Sequence, residues 1–339
     1  MPQLKGWVAT GYSSFPTQAV TDRSLYIYEQ KRASSLKKEV NSLHLKRAEY
    51  GPEEEVPSDL KEVDEHDTSE DEDNEEEEEE EEQEKPSKLL VTHGFHLVIG
   101  KMGHEMEDYI VAETREVNGH ELGLYAIFDG HSGRYVAEYL QSHLFDNILS
   151  QPDFWTSPKK AIKRAYKATD DEILNKVVES RGGSTAVTAI LIDREKLIVA
   201  NVGDSRAILC RNGTTKPITV DHEPQKEKKL VESRGGFVSK RPGSVPRVDG
   251  QLAMTRAFGD GKLKDHITSE PDVRMEMIDR DTEFLILASD GLWKVMSNQE
   301  ASDYIRVLDD AQEKAEKLIE EALSRISLDD ISCIVVMFT

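Results

Sequence analysis

The chain has 339 residues, with 43 Lys and Arg against 66 Asp and Glu, for a net charge of −23. That balance argues against nucleic acid as the main partner. No run of 18 apolar residues is present to span a membrane, and the length fits one large domain with extensions, or two domains.

The charge is uneven along the chain. Residues 53–84 hold 21 acidic residues and one lysine, whereas residues 1–52 carry a net +4. The two cysteines, Cys210 and Cys333, each lie in an apolar, strand-like run, as buried free thiols of a reducing compartment do. The N-terminus lacks a basic stretch followed by an apolar one, so no secretory leader is expected, and the cytoplasm or nucleus is the expected location.

In chain order, residues 1–52 read as a weakly structured basic segment with a sparse helical stripe, Leu36, Val40 and Leu43. Residues 53–87 read as an acidic, disordered linker: the eight glutamates Glu75–Glu82 cannot pack a core, and Pro86 closes the stretch. A folded domain is expected over residues 88–339. Strands are expected at Gly94–Ile99, Tyr109–Thr114, Leu122–Phe128, Thr185–Ile192, Lys196–Asn201, Ser205–Cys210, Glu283–Ala288 and Ile331–Phe338. Helices are expected at Ser132–Leu149, Pro158–Val178, Gln225–Ser233, Asn298–Leu308 and Ala311–Ile326. Ser132 is the expected cap of the first helix, whose apolar face is read as Tyr135, Val136, Tyr139, Leu140 and Leu144. Ser297 to Glu300 reads as a capping box. Turns of hairpin length at Asp193-Arg194 and Asn212-Gly213 make neighbouring strands antiparallel, which favours α+β layers over a doubly wound sheet.

Acidic residues recur at the ends of these apolar strands. They are Glu107 and Asp108, Asp129, Asp204, Asp290, and Asp329 with Asp330. Taken singly, each is what a turn commonly carries. As a set converging at one end of a layered fold they would repel one another unless cations neutralised them. Oxygen ligands without His or Cys metal spacing point to Mg²⁺ or Mn²⁺ rather than zinc. Asp129-Gly130-His131 adds an imidazole where a strand leaves the core, and Gly130 lets the backbone approach a ligand closely.

The ordered motifs Met106-Glu107-Asp108, Phe128-Asp129-Gly130-His131-Ser132-Gly133, Gly183-Ser184-Thr185-Ala186-Val187 and Gly203-Asp204-Ser205-Arg206 are followed by Gly250 to Asp260, Ala288-Ser289-Asp290-Gly291-Leu292-Trp293 and Asp329-Asp330-Ile331-Ser332. Over about residues 90–339 this order resembles the protein phosphatase 2C family of metal-dependent Ser/Thr phosphatases, and most of all its plant branch. The resemblance implies two antiparallel β-sheets packed face to face and flanked by helix pairs. It implies a binuclear Mg²⁺ or Mn²⁺ site, with a weaker third ion, that activates a water against phosphoserine and phosphothreonine.

Carried over by motif, Asp129 bridges both ions and Gly130 lends a carbonyl to one. Asp290 and Asp329 bind the other, Glu107 and Asp108 hold metal-bound waters, and Asp204 joins Asp290 at the third site. His131 is the general acid for the leaving alkoxide.

Two positions depart from the family pattern. Gly103 stands where the family often has a phosphate-gripping arginine, which leaves Lys101 and His104 as the nearby substrate-binding candidates. Lys294 stands where an aspartate often follows Asp-Gly-Leu-Trp, which weakens the third-ion site. The expected partners are phosphorylated proteins, with no nucleic acid and no membrane, and the expected state is a monomer. The alternative is a catalytically weak scaffold of this fold whose acidic tract binds basic proteins.

Overall fold

A computed structural model of the chain describes residues 89–176 and 182–339. The readings of residues 1–88, and the end of the second helix beyond Lys176, fall outside the described residues.

The strands, in order, are β1 (Val91–Val98), β2 (Asp108–Val117), β3 (His120–His131), β4 (Gly183–Ser184), β5 (Ala186–Ile192), β6 (Lys196–Val202), β7 (Arg206–Arg211), β8 (Thr214–Pro217), β9 (Val238–Ser239), β10 (Arg247–Val248), β11 (Phe258–Gly259), β12 (Asp272–Met277), β13 (Thr282–Ala288) and β14 (Ile331–Phe338). The helices are α1 (Tyr135–Leu149), α2 (Pro158–Lys176), α3 (Lys228–Ser233), α4 (Asp290–Trp293), α5 (Asn298–Ile305) and α6 (Ala311–Ser324).

One sheet runs β1-β14-β13-β7-β8 and the other β11-β4-β3-β5-β6-β12, with β2 on the free side of β3. Every ladder in both sheets is antiparallel. β14 is flanked on both sides and buried along its whole length, which is why Ile331–Phe338 reads as a near-continuous apolar run and not as an alternation. The tight turns are set by residues that tolerate a left-handed backbone: Asp193 and Arg194 between β5 and β6, and Asn212 and Gly213 between β7 and β8, all have positive φ.

Three apolar layers follow from this arrangement. Tyr125, Ile127, Val187, Leu285, Leu287, Ile334 and Val336 fill the space between the sheets. Leu122, Leu124 and Phe128 on the opposite face of β3 meet Val136, Leu140 and Leu144 of α1 and Ile162 and Tyr166 of α2. Ile286, Ile331, Cys333 and Val335 meet Ala301 and Ile305 of α5 and Ala315, Leu318 and Ile319 of α6. The expected α+β sandwich, two antiparallel sheets between helix pairs, is the observed fold. Cys210 and Cys333 are free and buried in β7 and β14. The capping box at Ser297 and Glu300 is present with both of its hydrogen bonds.

Several expectations need correction. β3 does not stop at Phe128 but runs to His131, because Gly130 and His131 pair with Ser184 and Gly183 of β4. Ser132 is therefore not a helix cap. It takes a left-handed φ of 56°, and α1 begins three residues later behind Arg134, which makes no side-chain cap bond. Tyr135 is exposed and does not belong to the buried stripe. β12 is a further strand, in which Asp-Val-Arg-Met-Glu-Met alternates charged and apolar residues strictly. It is an edge strand, and only Val273 and Met275 pack against the core.

Candidate active site

β2 and β3 are registered so that Asp108 lies directly opposite Asp129. Like charges facing each other across a strand pair are destabilising. Asp108 is 2 % exposed, and burial, with Asp330 and Asp290 nearby, pushes its carboxyl up to about 7. Burial, followed by Asp108, Asp290, Asp204 and Asp329, raises Asp129 well above the usual carboxylate range. Asp204, in the β6–β7 connection, is pushed up to about 7 by burial and by Asp290. Burial also raises Asp290, against the opposing pull of Lys294. Four of the expected carboxylates, Asp108, Asp204, Asp290 and Asp329, thus lie within electrostatic reach of a fifth, Asp129.

Backbone and hydroxyl groups hold these side chains in place. Asp129 N–H donates to Thr185 Oγ1 at 3.1 Å, and Thr185 N–H donates to the Asp129 carbonyl at 2.9 Å. Ser332 Oγ donates to Asp108 Oδ2 at 2.6 Å. Asp330 was read only as the partner of Asp329, yet it does the most structural work of the pair. Its two oxygens accept from Gly100 N–H at 2.6 Å and Glu107 N–H at 2.8 Å, tying the loop before β2 to the start of β14. Glu107 in turn accepts from Gly133 N–H at 2.7 Å and fixes the bend after His131. A Cβ on Gly130 would sit 2.6 Å from the Glu107 carbonyl, so only glycine permits this approach of β3 to the loop.

His131 Nε2 lies 2.8 Å from Asp260 Oδ2, and an ionised carboxylate can only accept, so Nε2 carries the proton. Asp260 is 6 % exposed and has a left-handed φ of 50°. Its oxygen rests against Gly183 where any Cβ would collide. The adjacent Gly259 N–H donates to Asp170 Oδ1 at 2.9 Å, and Asp170 is paired with Lys264. In the sequence Asp260 is only the last residue of the Gly250 to Asp260 motif. No local pattern marks its role, because its partner lies 129 residues away.

Lys101 and His104 stand on the exposed loop between β1 and β2. His104 Nδ1 is 2.8 Å from the Glu105 carbonyl and 4.0 Å from Asp330, and that backbone contact chiefly raises its pKa. Lys294 reaches Asp290 Oδ2 at 2.6 Å and Asp329 Oδ2 at 2.8 Å.

The donor set suits a hard divalent cation. One carboxylate oxygen on each of Asp108, Asp204 and Asp290 is buried without a hydrogen-bond partner, and the clustered side chains offer only oxygens. Among the described residues no three acidic, histidine or cysteine side chains close on one point as a preformed cage does. A cation that keeps part of its hydration shell needs no such cage.

A layered sandwich carrying an all-oxygen carboxylate cluster beside a histidine–aspartate pair suits a hydrolase assisted by such cations. The family model described as Protein phosphatase 2C matches residues 99–331. The chain is 70 % identical over 247 residues to the Arabidopsis thaliana protein named Probable protein phosphatase 2C 28, covering 73 % of each chain. It is 62 % identical over 252 residues to Probable protein phosphatase 2C 62 of Oryza sativa subsp. japonica, covering 73 % of this chain and 87 % of that one. A solved structure described as serine-threonine phosphatase 2C from Toxoplasma gondii shares the fold, with a TM-score of 0.67 at 24 % identity over 74 % of this chain and 95 % of that one. The chain belongs to the protein phosphatase 2C family, in its plant branch, and is a protein serine/threonine phosphatase. That family is generally dependent on Mg²⁺ or Mn²⁺.

Proposed function

We propose that the chain removes phosphate from phosphoserine and phosphothreonine of protein substrates at the Asp129 cluster, with two Mg²⁺ or Mn²⁺ ions and a weaker third. The observation that carries this reading is the buried pairing of Asp108 with Asp129, which is costly unless a cation lies between or beside them. Asp129 and the Gly130 carbonyl would hold one ion, and Asp129, Asp290 and Asp329 the other. Glu107 and Asp108 would hold its waters, and Asp204 with Asp290 would hold the third. When bound, such ions supply an acidified water and neutralise phosphoryl charge.

The chain's own groups do the rest. Asp260 holds the Nε2–H of His131 and fixes the ring, and the imidazole carries a proton to the departing serine or threonine oxygen. Lys101 and His104, exposed on the loop before β2, would meet the substrate phosphate where Gly103 replaces a side chain. The acidic run at residues 53–84 offers a docking arm for basic proteins, and the enzyme would act as a monomer. Deleting that run should weaken kcat/KM on basic phosphoproteins only, and equal values would reject the arm.

The main test is phosphate release from a phosphoserine peptide. Activity should vanish in EDTA and return with millimolar Mn²⁺ or Mg²⁺, and full activity in EDTA would refute the reading.

A further inference from the structure

Lys294 is the one basic residue, among the described residues, within ion-pair distance of the clustered carboxylates. Its placement is built in. α4 is a single turn, and Lys294 N–H donates to the Asp290 carbonyl at 2.9 Å, so positions 290 and 294 share a face. The turn is pinned by Leu292, which is fully buried, and by Trp293, whose Nε1–H donates to the Ala288 carbonyl at 2.9 Å while Arg206 lies 5.2 Å from its ring.

From this anchor the ammonium clamps two carboxylates from different segments, Asp290 at 2.6 Å and Asp329 at 2.8 Å. An ordinary surface pair spaced four apart on a helix would need only the first of these. The second contact, 35 residues away in sequence, places the positive charge between the two oxygens that a divalent ion on this side of the cluster would use. Both cations cannot sit there together, since each would lose the other's share of the oxygens and meet its charge. Lys294 is 53 % exposed, so its flexible four-carbon stem can carry the ammonium out to water without disturbing the core.

We propose that Lys294 is a tethered competitor for divalent cation: metal enters the Asp290–Asp329 side of the cluster by exchange with its ammonium, and this lysine sets how weakly that ion is held. The inference rests on the metal-assisted reaction proposed above, and its test separates the two.

Mn²⁺ binding by calorimetry and thermal unfolding in EDTA would be measured on the full chain, comparing wild type with Lys294→Met, which keeps the length of the stem and loses the charge. Lys294→Gln serves as a second neutral variant should the first fold poorly, and Lys294→Arg keeps the charge. The neutral variants should bind Mn²⁺ at least tenfold more tightly and melt at a lower temperature in EDTA, because Asp290 and Asp329 then lack a counter-ion. Lys294→Arg should bind Mn²⁺ no more tightly than wild type. If wild type binds Mn²⁺ and the neutral variants bind it equally or more weakly, the competitor role is overturned while the metal site stands. If no variant binds Mn²⁺, the metal reading falls and this inference with it.

Discussion

Asp108 gives the sharpest test of whether this cluster is assembled for cations at the expense of stability. Its carboxyl is buried opposite Asp129 and stands at about 7 against an ordinary 3.8. A folded-state pKa above the unfolded one means that the folded chain keeps its proton while the unfolded chain has lost it. Stability therefore declines as pH rises from about 3.8 to about 7 and stays reduced above that. The difference corresponds to roughly 4 kcal/mol at pH 8, from about 1.4 kcal/mol for each pH step.

Asp108→Asn abolishes the charge and keeps an oxygen to accept from Ser332. In EDTA at pH 8 the variant should be more stable than wild type by about 2–4 kcal/mol, or roughly 5–15 °C in Tm for a domain of this size. The gap should close as pH is lowered to 4. Mn²⁺ should raise the Tm of the variant less than that of wild type, and phosphatase activity should fall. The assay is differential scanning fluorimetry across pH with and without Mn²⁺, beside phosphate release. A variant less stable than wild type in EDTA at pH 8, and correctly folded, would refute the argument that burying this charge costs stability.

His131→Ala should lose a hundredfold or more on a phosphoserine peptide but under tenfold on p-nitrophenyl phosphate, whose leaving group needs no proton; equal losses would reject the acid role. Asp260→Asn should show the same substrate bias more mildly, about tenfold on the peptide, because it disturbs the partner of Nε2 and not the acid itself; an unbiased loss would make Asp260 merely structural. Ile326 ends α6 with a φ of 64°, a left-handed backbone that a β-branched residue adopts only under strain, and it is 72 % exposed. Ile326→Gly should therefore raise stability by about 1 kcal/mol, read by urea unfolding; unchanged or lower stability would show that its side chain matters more than its backbone.

The placement of Asp108, Asp129, Asp204, Asp290 and Asp329 at strand ends was legible because buried strands announce themselves as apolar runs that stop at a charge. The central strands β3, β5, β13 and β14 were legible for the same reason. What stayed hidden depends on contacts between distant segments. Asp260 meets His131 through a left-handed turn that no local pattern specifies. Asp330 acts through the backbone of Gly100 and Glu107, which lie more than 220 residues away. β3 ends three residues beyond its apolar run because its last pairs are made with β4, a strand of only two residues. Ser132 looked like a cap because Ser before a helical stripe usually is one, yet the chain bends there instead.

Among the described residues Lys294 alone pairs with the clustered carboxylates, whose positions are otherwise fixed by neutral hydrogen-bond partners. Thr185, Ser332 and the amides of Gly100, Glu107 and Gly133 each satisfy a backbone or carboxylate group at the rim of the site. Behind them lie three continuous apolar layers, whose burial far exceeds the few kcal/mol that burying these charges costs. A site built this way can stand ready for divalent ions without collapsing around them. It follows that chelation should silence the chain without unfolding it, and that the rate-determining groups should be those whose charge changes during the reaction, His131 above all, and not the hydroxyls and amides that merely hold the frame.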